Sequence, residues 1–287
     1  MTFYQWERAD QEEFAVNQVI YSNTDLEMWY DWTGRLDDTE FTQDCFWIVK
    51  DGVRIGGIIK LGDTLIYPFI IPPFMDREQF WAGLLSDPNE QIMRINGVLQ
   101  LDIAVLIRHG FQVQSTRKVM CCPTGGEQTF EIEEGLILQR LDETTNLHFV
   151  QKLLKSSYTG GIDYQTFGTP SEEEVLKDIQ YVLDVYRHEP LSVYILDKNK
   201  SEIVGVCMAG IGEKMPLGFA EIADIAVLPA YRGKGIAEFM LRHVKAQARL
   251  HAPVVKLCVT VGNPAEALYQ RVGFQSGEPF AKMTRIL

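Results

Sequence analysis

Residues Glu221 to Leu241, EIADIAVLPAYRGKGIAEFML, decide how the rest of the chain is read. From Glu221 to Val227 the run mixes β-branched and small apolar types with no turn former, and Leu228-Pro229-Ala230 ends it, which predicts a strand stopped by a turn. After Tyr231-Arg232-Gly233-Lys234-Gly235, apolar residues recur at Ile236, Phe239, Met240 and Val244, the spacing of an amphipathic helix. A helix entered through two glycines, with Arg232 and Lys234 beside them, suits a phosphate or pyrophosphate. The first-turn N–H groups point outward, the helix dipole is positive there, and glycine lets a bulky anion reach the main chain.

Spacing separates the glycine-loop families. A Walker loop needs Ser or Thr after the lysine, and Lys234 is followed by Gly235; a dinucleotide fingerprint needs glycine three residues after Gly235, where Glu238 stands. Arg232-x-x-Gly235-x-Ala237 resembles the Arg/Gln-x-x-Gly-x-Gly/Ala signature of the GNAT superfamily of acyl-CoA-dependent N-acyltransferases. Downstream, Val254 to Val259 reads as a buried strand, and Asn263-Pro264-Ala265 opens a short helix closed by Gly273-Phe274. These are ordinary start and stop signals. The whole string N-P-A-x-A-L-Y-x-x-x-G-F also resembles the GNAT tail in type and order. The resemblance covers about half the chain, Leu136 to Leu287.

The 287 residues suit about two domains. No apolar run approaches the ~20 residues of a membrane span, and the N-terminus lacks a basic signal start, so a cytoplasmic location without a membrane partner is expected. Five cysteines and five histidines without ligand spacing predict no disulfide and no metal. Lys plus Arg number 27 against 39 Asp plus Glu, a net charge of -12 that disfavours nucleic acid and weakly favours a cationic or amine substrate.

The first half reads as strands over Phe46–Val49, Val53–Leu61 and Leu65–Ile71, a helix over Asp76–Leu85, a strand over Ile92–Leu99 and a short helix over Ala104–His109. Ala104-x-x-x-Arg108-x-Gly110-Phe111-Gln112 repeats the register of Ala267-x-x-x-Arg271-x-Gly273-Phe274-Gln275, and Ile70-Ile71-Pro72-Pro73 lies against Ala226-Val227-Leu228-Pro229. This indicates an internal duplication. Aligning the prolines sets Asp76 against Arg232, Gln79 against Gly235 and Leu65 against Glu221; aligning the glycines sets Leu106 against Tyr269 and Gln100 against Asn263. Each anion-binding or proton-moving position has lost that chemistry. The expectation is a degenerate GNAT-like domain, residues 1–126, without a CoA site, followed by a GNAT acetyltransferase domain, residues 127–287; an unrelated α/β first domain is the alternative.

The turn-rich Pro123 to Gly126 sets that boundary. Beyond it come a strand at Leu136–Leu141, helices at Thr145–Ser157 and Ser171–Tyr186, and strands at Leu191–Leu196, Ile203–Ile211 and Phe219–Val227, with turns at Asp197-Lys198-Asn199 and around Pro216. Between the helices, Tyr158, Tyr164 and Phe167 are candidates for acceptor contact or for packing. The fold class is α/β (α+β): a mixed, mostly antiparallel sheet flanked by helices, GNAT-like and duplicated.

The resemblance implies that acetyl-CoA enters between Ala223–Val227 and Val254–Val259, where two strands splay. The main chain of Ile225, Ala226 and Val227 would pair with the pantetheine arm, and Asn263 would stand beside it. Gly233 to Ala237, that is Gly233, Lys234, Gly235, Ile236 and Ala237, would hold the pyrophosphate, with Arg232 adding charge. Glu221, eleven residues before Arg232, resembles the catalytic glutamate of histone-acetylating members, with Asp224 behind it as base. Alternation places Asp224 on the opposite face from Glu221 unless a bulge intervenes. Tyr269 matches the tyrosine that protonates the departing thiolate. The implied function is N-acetylation of a small-molecule or peptide amine, by a monomer or homodimer; the alternative is an acyl-CoA-binding sensor without turnover.

Overall fold

The computed structural model describes residues 4–22, 44–86, 91–126, 131–142, 144–186, 189–211 and 219–286. The first half of the chain carries β1 (Tyr4–Arg8), α1 (Gln11–Tyr21), β2 (Cys45–Lys50), β3 (Val53–Leu61), β4 (Thr64–Ile70), α2 (Arg77–Leu84), β5 (Arg94–Leu99), α3 (Gln100–Arg108) and β6 (Phe111–Pro123). The second carries β7 (Leu136–Arg140), α4 (Leu147–Tyr158), α5 (Ile162–Phe167), α6 (Glu172–Val185), β8 (Glu189–Pro190), β9 (Val193–Asp197), β10 (Glu202–Ile211), β11 (Phe219–Val227), α7 (Ile236–Ala248), β12 (Val254–Thr260), α8 (Ala265–Val272), β13 (Gln275–Ser276) and β14 (Phe280–Arg285).

Two compact units result: Met1–Val119 with Gly277–Leu287, and Met120–Ser276. The division differs from one at Gly126 because pairing, not composition, assigns the ends. The last strand, β14, lies antiparallel to β5, with Phe280 opposite Leu99 and Ala281 opposite Val98, and so completes the first unit's sheet. The residues after Val119 in β6 pair with β13, Cys121 opposite Gln275, inside the second unit.

In the first unit the strand order is β1-β2-β3-β4-β5-β14-β6. One face of this sheet buries Ile48, Ile58, Leu65 and Ile95 under Phe80 and Trp81 of α2 and Leu106 of α3. On the other, Phe14 of α1 packs on Trp47 and Phe69. β4 and β5 are parallel, and their pairing is limited to Thr64–Ile66 against Arg94–Asn96. β4 then bulges, because Ile66 faces Ile59 while Phe69 already faces Gly57.

In the second unit the order runs β7-β9-β10-β11-β12, with β6 beside β12. Helix α7 buries Ile236, Met240, Leu241, Val244 and Ala248, the stripe its sequence spacing predicts. Burial of each of the four larger side chains, Ile236, Met240, Leu241 and Val244, contributes roughly 1.5–3 kcal/mol. Gly205 of β10 permits the close fit: a Cβ there would stand 2.9 Å from Ile236 Cγ2. The opposite face is covered by Val150, Leu153 and Leu154 of α4 and Val175 and Ile179 of α6. The predicted capping box is present, Ser171 and Glu174 each bonding the other's main chain.

Strands 45–50, 53–61, 136–140 and 202–211 and helix 172–185 fall close to their predicted spans. The expected loop from Tyr158 to Pro170 holds α5, and α3 begins at Gln100 rather than Ala104. β1, α1, β6 and β14 were not anticipated from the sequence. The turn expected around Pro216 lies outside the described residues.

Candidate active site

The site begins where two parallel strands part. β11 and β12 pair from Phe219–Val254 to Ile222–Leu257 and no further. On its other edge β11 stays paired to β10, with a bulge: Met208 faces Asp224 and Ala209 faces Ile222, which leaves Ala223 as the extra residue. The bulge corrects the simple alternation. Glu221, Asp224 and Ala226 share the face under α4 and α6, whereas Ile222 and Val227 join the core under α7 and α8. Both candidate carboxylates therefore look the same way.

Beyond Val227 the chain turns through Pro229–Tyr231 and enters α7 across Gly233 and Gly235, each at φ 78°. That left-handed conformation favours glycine, and a Cβ on Gly233 would meet nothing within 4 Å. Gly235 is the N-cap and offers no side-chain bond to the first turn, whose N–H groups have no partner within the helix. These residues fit a pyrophosphate.

Arg232 does something more local than adding charge. Its Nη2 donates to the Ser157 carbonyl at 2.6 Å and its Nε to the Val227 carbonyl at 3.3 Å, tying the loop to α4 and to the strand end. Lys234 is exposed and pairs with Glu133 at 2.8 Å. The Leu228 N–H goes to Val204 of β10, so the main chain of Val227 faces the gap beside β12. The N–H of Ile225 bonds the Asp224 carboxylate.

Asp224 lies among aromatic hydroxyls. Tyr158 donates to its Oδ1, and burial pushes the Asp224 carboxyl up to about 6. Tyr269 is buried against Phe274. Burial first and the Asp224 charge second hold its phenol well above the usual tyrosine range, so it stays protonated at neutral pH. Asn263, two residues before α8, accepts from the Ala265 N–H at 2.9 Å, and its amide donates to Asp163 at 3.1 Å. Asp163, on α5, also accepts from Thr260.

Glu221 has a different set of partners. Tyr186 donates to Oε2 at 3.0 Å, and the Lys256 ammonium lies 3.7 Å from Oε1. Sequence reasoning missed Tyr186, Lys256 and Asp163. Lys256 did leave a signal, as a charge in the otherwise apolar run Val254-Val255-Lys256-Leu257-Cys258-Val259.

Helix α2 of the first unit starts differently from α7. Proline alignment sets Asp76 against Arg232, but Asp76 is the N-cap of α2, the position that Gly235 takes in α7. Its carboxylate accepts from the Gln79 N–H at 2.9 Å and occupies the seat that an anion would need. Leu106, opposite Tyr269, is fully buried and carries no acid.

A mixed sheet with a splayed parallel pair beside a glycine turn defines the acyl-CoA N-acyltransferase class of fold. A family model described as Acetyltransferase (GNAT) family matches residues 148–274, a stretch that lies within the second unit. Solved structures extend the likeness of fold to both halves. A GCN5-related N-acetyltransferase from Sphaerobacter thermophilus superposes at TM-score 0.70 with 16% identity, covering 98% of this chain and 94% of that one. A GNAT-family acetyltransferase from Colwellia psychrerythraea gives 0.58 at 13% identity over 99% and 100%. A tandem GNAT protein from the clavulanic acid biosynthesis pathway gives 0.53 at 13% identity over 99% and 98%. No curated protein matches the chain.

Proposed function

We propose that the protein transfers an acetyl group from acetyl-CoA to a primary amine by direct attack, using one site in the second unit. The observation that carries this reading is the break in β11–β12 pairing after Ile222 and Leu257, next to a turn whose two glycines sit at φ 78°. The pantetheine arm would take the free edge of Ala223–Val227 as an added strand, and the pyrophosphate would sit on the N–H groups from Gly233 to Ala237.

Chemistry follows from the groups along that edge. The amine nitrogen attacks the thioester carbonyl, and Glu221 takes its proton, with Asp224 as the alternative base on the same face. The Val227 N–H would stabilise the oxyanion. As the C–S bond breaks, the Tyr269 hydroxyl gives its proton to the leaving thiolate. The first unit would bind no CoA, because Asp76 fills the helix N-terminus with its own carboxylate.

The test is thiol release from acetyl-CoA in the presence of a polyamine, an aminoglycoside, a free amino acid and a lysine-containing peptide. One amine should yield thiol in step with its acetylated product. Acetyl-CoA binding without release by any of them would instead identify a sensor.

A further inference from the structure

Lys256 is 1% exposed, in the middle of β12, and its Nζ has no hydrogen-bond partner. An ammonium so placed is costly unless a charge compensates it. The compensating group is Glu221, the residue directly opposite in the parallel register, with 3.7 Å between Nζ and Oε1. The other Glu221 oxygen is held by the Tyr186 hydroxyl at 3.0 Å. Glu221 itself is different from both neighbours, because its side chain keeps 19% exposure while Lys256 sits behind it at 2%.

We propose that Lys256 is a positioning residue: with Tyr186 it holds the Glu221 carboxylate by both oxygens, so that the remaining lone pairs face the acceptor amine. The inference rests on the reading of Glu221 as the base. A carboxylate accepts at about four lone-pair sites. The Tyr186 hydrogen bond fixes one oxygen and the Lys256 charge, 3.7 Å away, draws the other toward β12, which leaves free sites on the exposed side of the group. Burial lowers the proton affinity of Lys256, while the Glu221 charge acts in the opposite direction and supports the ammonium form. The Phe219 ring, 5.9 Å from Nζ, adds a weaker contact.

The test combines a stability cycle with kinetics on the full chain, using Glu221→Gln, Lys256→Met and the double variant. Glu221→Gln strips the buried ammonium of its counter-charge, and its Tm should fall by at least about 4 °C. In the Lys256→Met background the same change should cost less than half as much; equal losses in both backgrounds would overturn the pairing. With acetyl-CoA and the panel amine that releases most thiol, Lys256→Met should lose about 10- to 100-fold in kcat. Its KM for acetyl-CoA should stay within about twofold of wild type. Wild-type kcat in Lys256→Met, with Glu221→Gln inactive, sinks the positioning role alone. Wild-type kcat in Glu221→Gln sinks the base reading, and this inference with it.

Discussion

The Tyr158 phenol donates to Oδ1 of Asp224, so the last residue of α4 reaches the bulged segment of β11. The contact exists because Ala223 bulges: without the extra residue Asp224 would point into the core under α7 and α8. A half-buried carboxylate with a phenol donor at a strand gap is a second candidate base, and it titrates unlike an ordinary surface aspartate.

Asp224 should give stability an inverted pH dependence. Burial raises its carboxyl from 3.8 to about 6, so the folded chain holds this proton more tightly than the unfolded chain. The contribution is complete below about pH 4 and is lost as pH rises through about 6. Scanning calorimetry at pH 4, 5, 6 and 7 should show wild-type Tm falling more steeply than that of Asp224→Asn. Parallel slopes would contradict the assignment.

Acetyl-CoA should bind once per chain. Calorimetric titration of wild type should give one site, and Gly235→Glu should give none, because a carboxylate and a Cβ then occupy a residue at φ 78°. Left-handed backbone costs a non-glycine residue roughly 1–2 kcal/mol, so a folded control is needed, and far-ultraviolet circular dichroism supplies it. Retained binding in the variant would remove the pyrophosphate from this turn.

Replacing Asp76 should not create a second site. Asp76→Gly removes the carboxylate cap of α2 and should cost at most about 1 kcal/mol. The first unit would still lack a glycine turn, so the titration should remain at one acetyl-CoA per chain. Two sites in this variant would mean that Asp76 alone blocks an otherwise intact pocket.

Arg232 should matter through the main chain it braces. Its two carbonyl bonds run to Ser157 and Val227, a geometry that suits the guanidinium fork and not a lysine. Arg232→Ala and Arg232→Lys should both lose about 1–3 kcal/mol in chemical denaturation. If lysine restores both stability and acetyl-CoA affinity, the charge matters and the bracing does not.

Tyr269→Phe should lower kcat about 10- to 100-fold with little change in KM for acetyl-CoA, as expected for a group acting on the leaving thiolate. Because burial and Asp224 hold the wild-type phenol protonated, no loss of kcat from this residue should occur between about pH 8 and 10. Full activity in the phenylalanine variant would leave Tyr269 a packing residue.

The parts of the fold whose conformation is a local demand can be read from the residues in order. Gly233 and Gly235 are legible because a left-handed backbone in front of a helix needs glycine, and α7 is legible because its buried face recurs every three to four residues. Ser171 and Glu174 announce α6 for the same reason, since a helix start is satisfied within four residues. β6 escaped notice because its burial follows no period of two, with Gln112, Val113 and Gln114 exposed in succession. β14 escaped because its place between β5 and β6 joins residues far apart in the chain. Tertiary structure alone decided the bulge at Ala223, the tethering of Arg232, and the meeting of Glu221 with Tyr186 and Lys256, each 35 positions away. Hydrogen bonding and charge compensation across strands depend on register and packing, and no local residue pattern encodes which side chains those bring face to face.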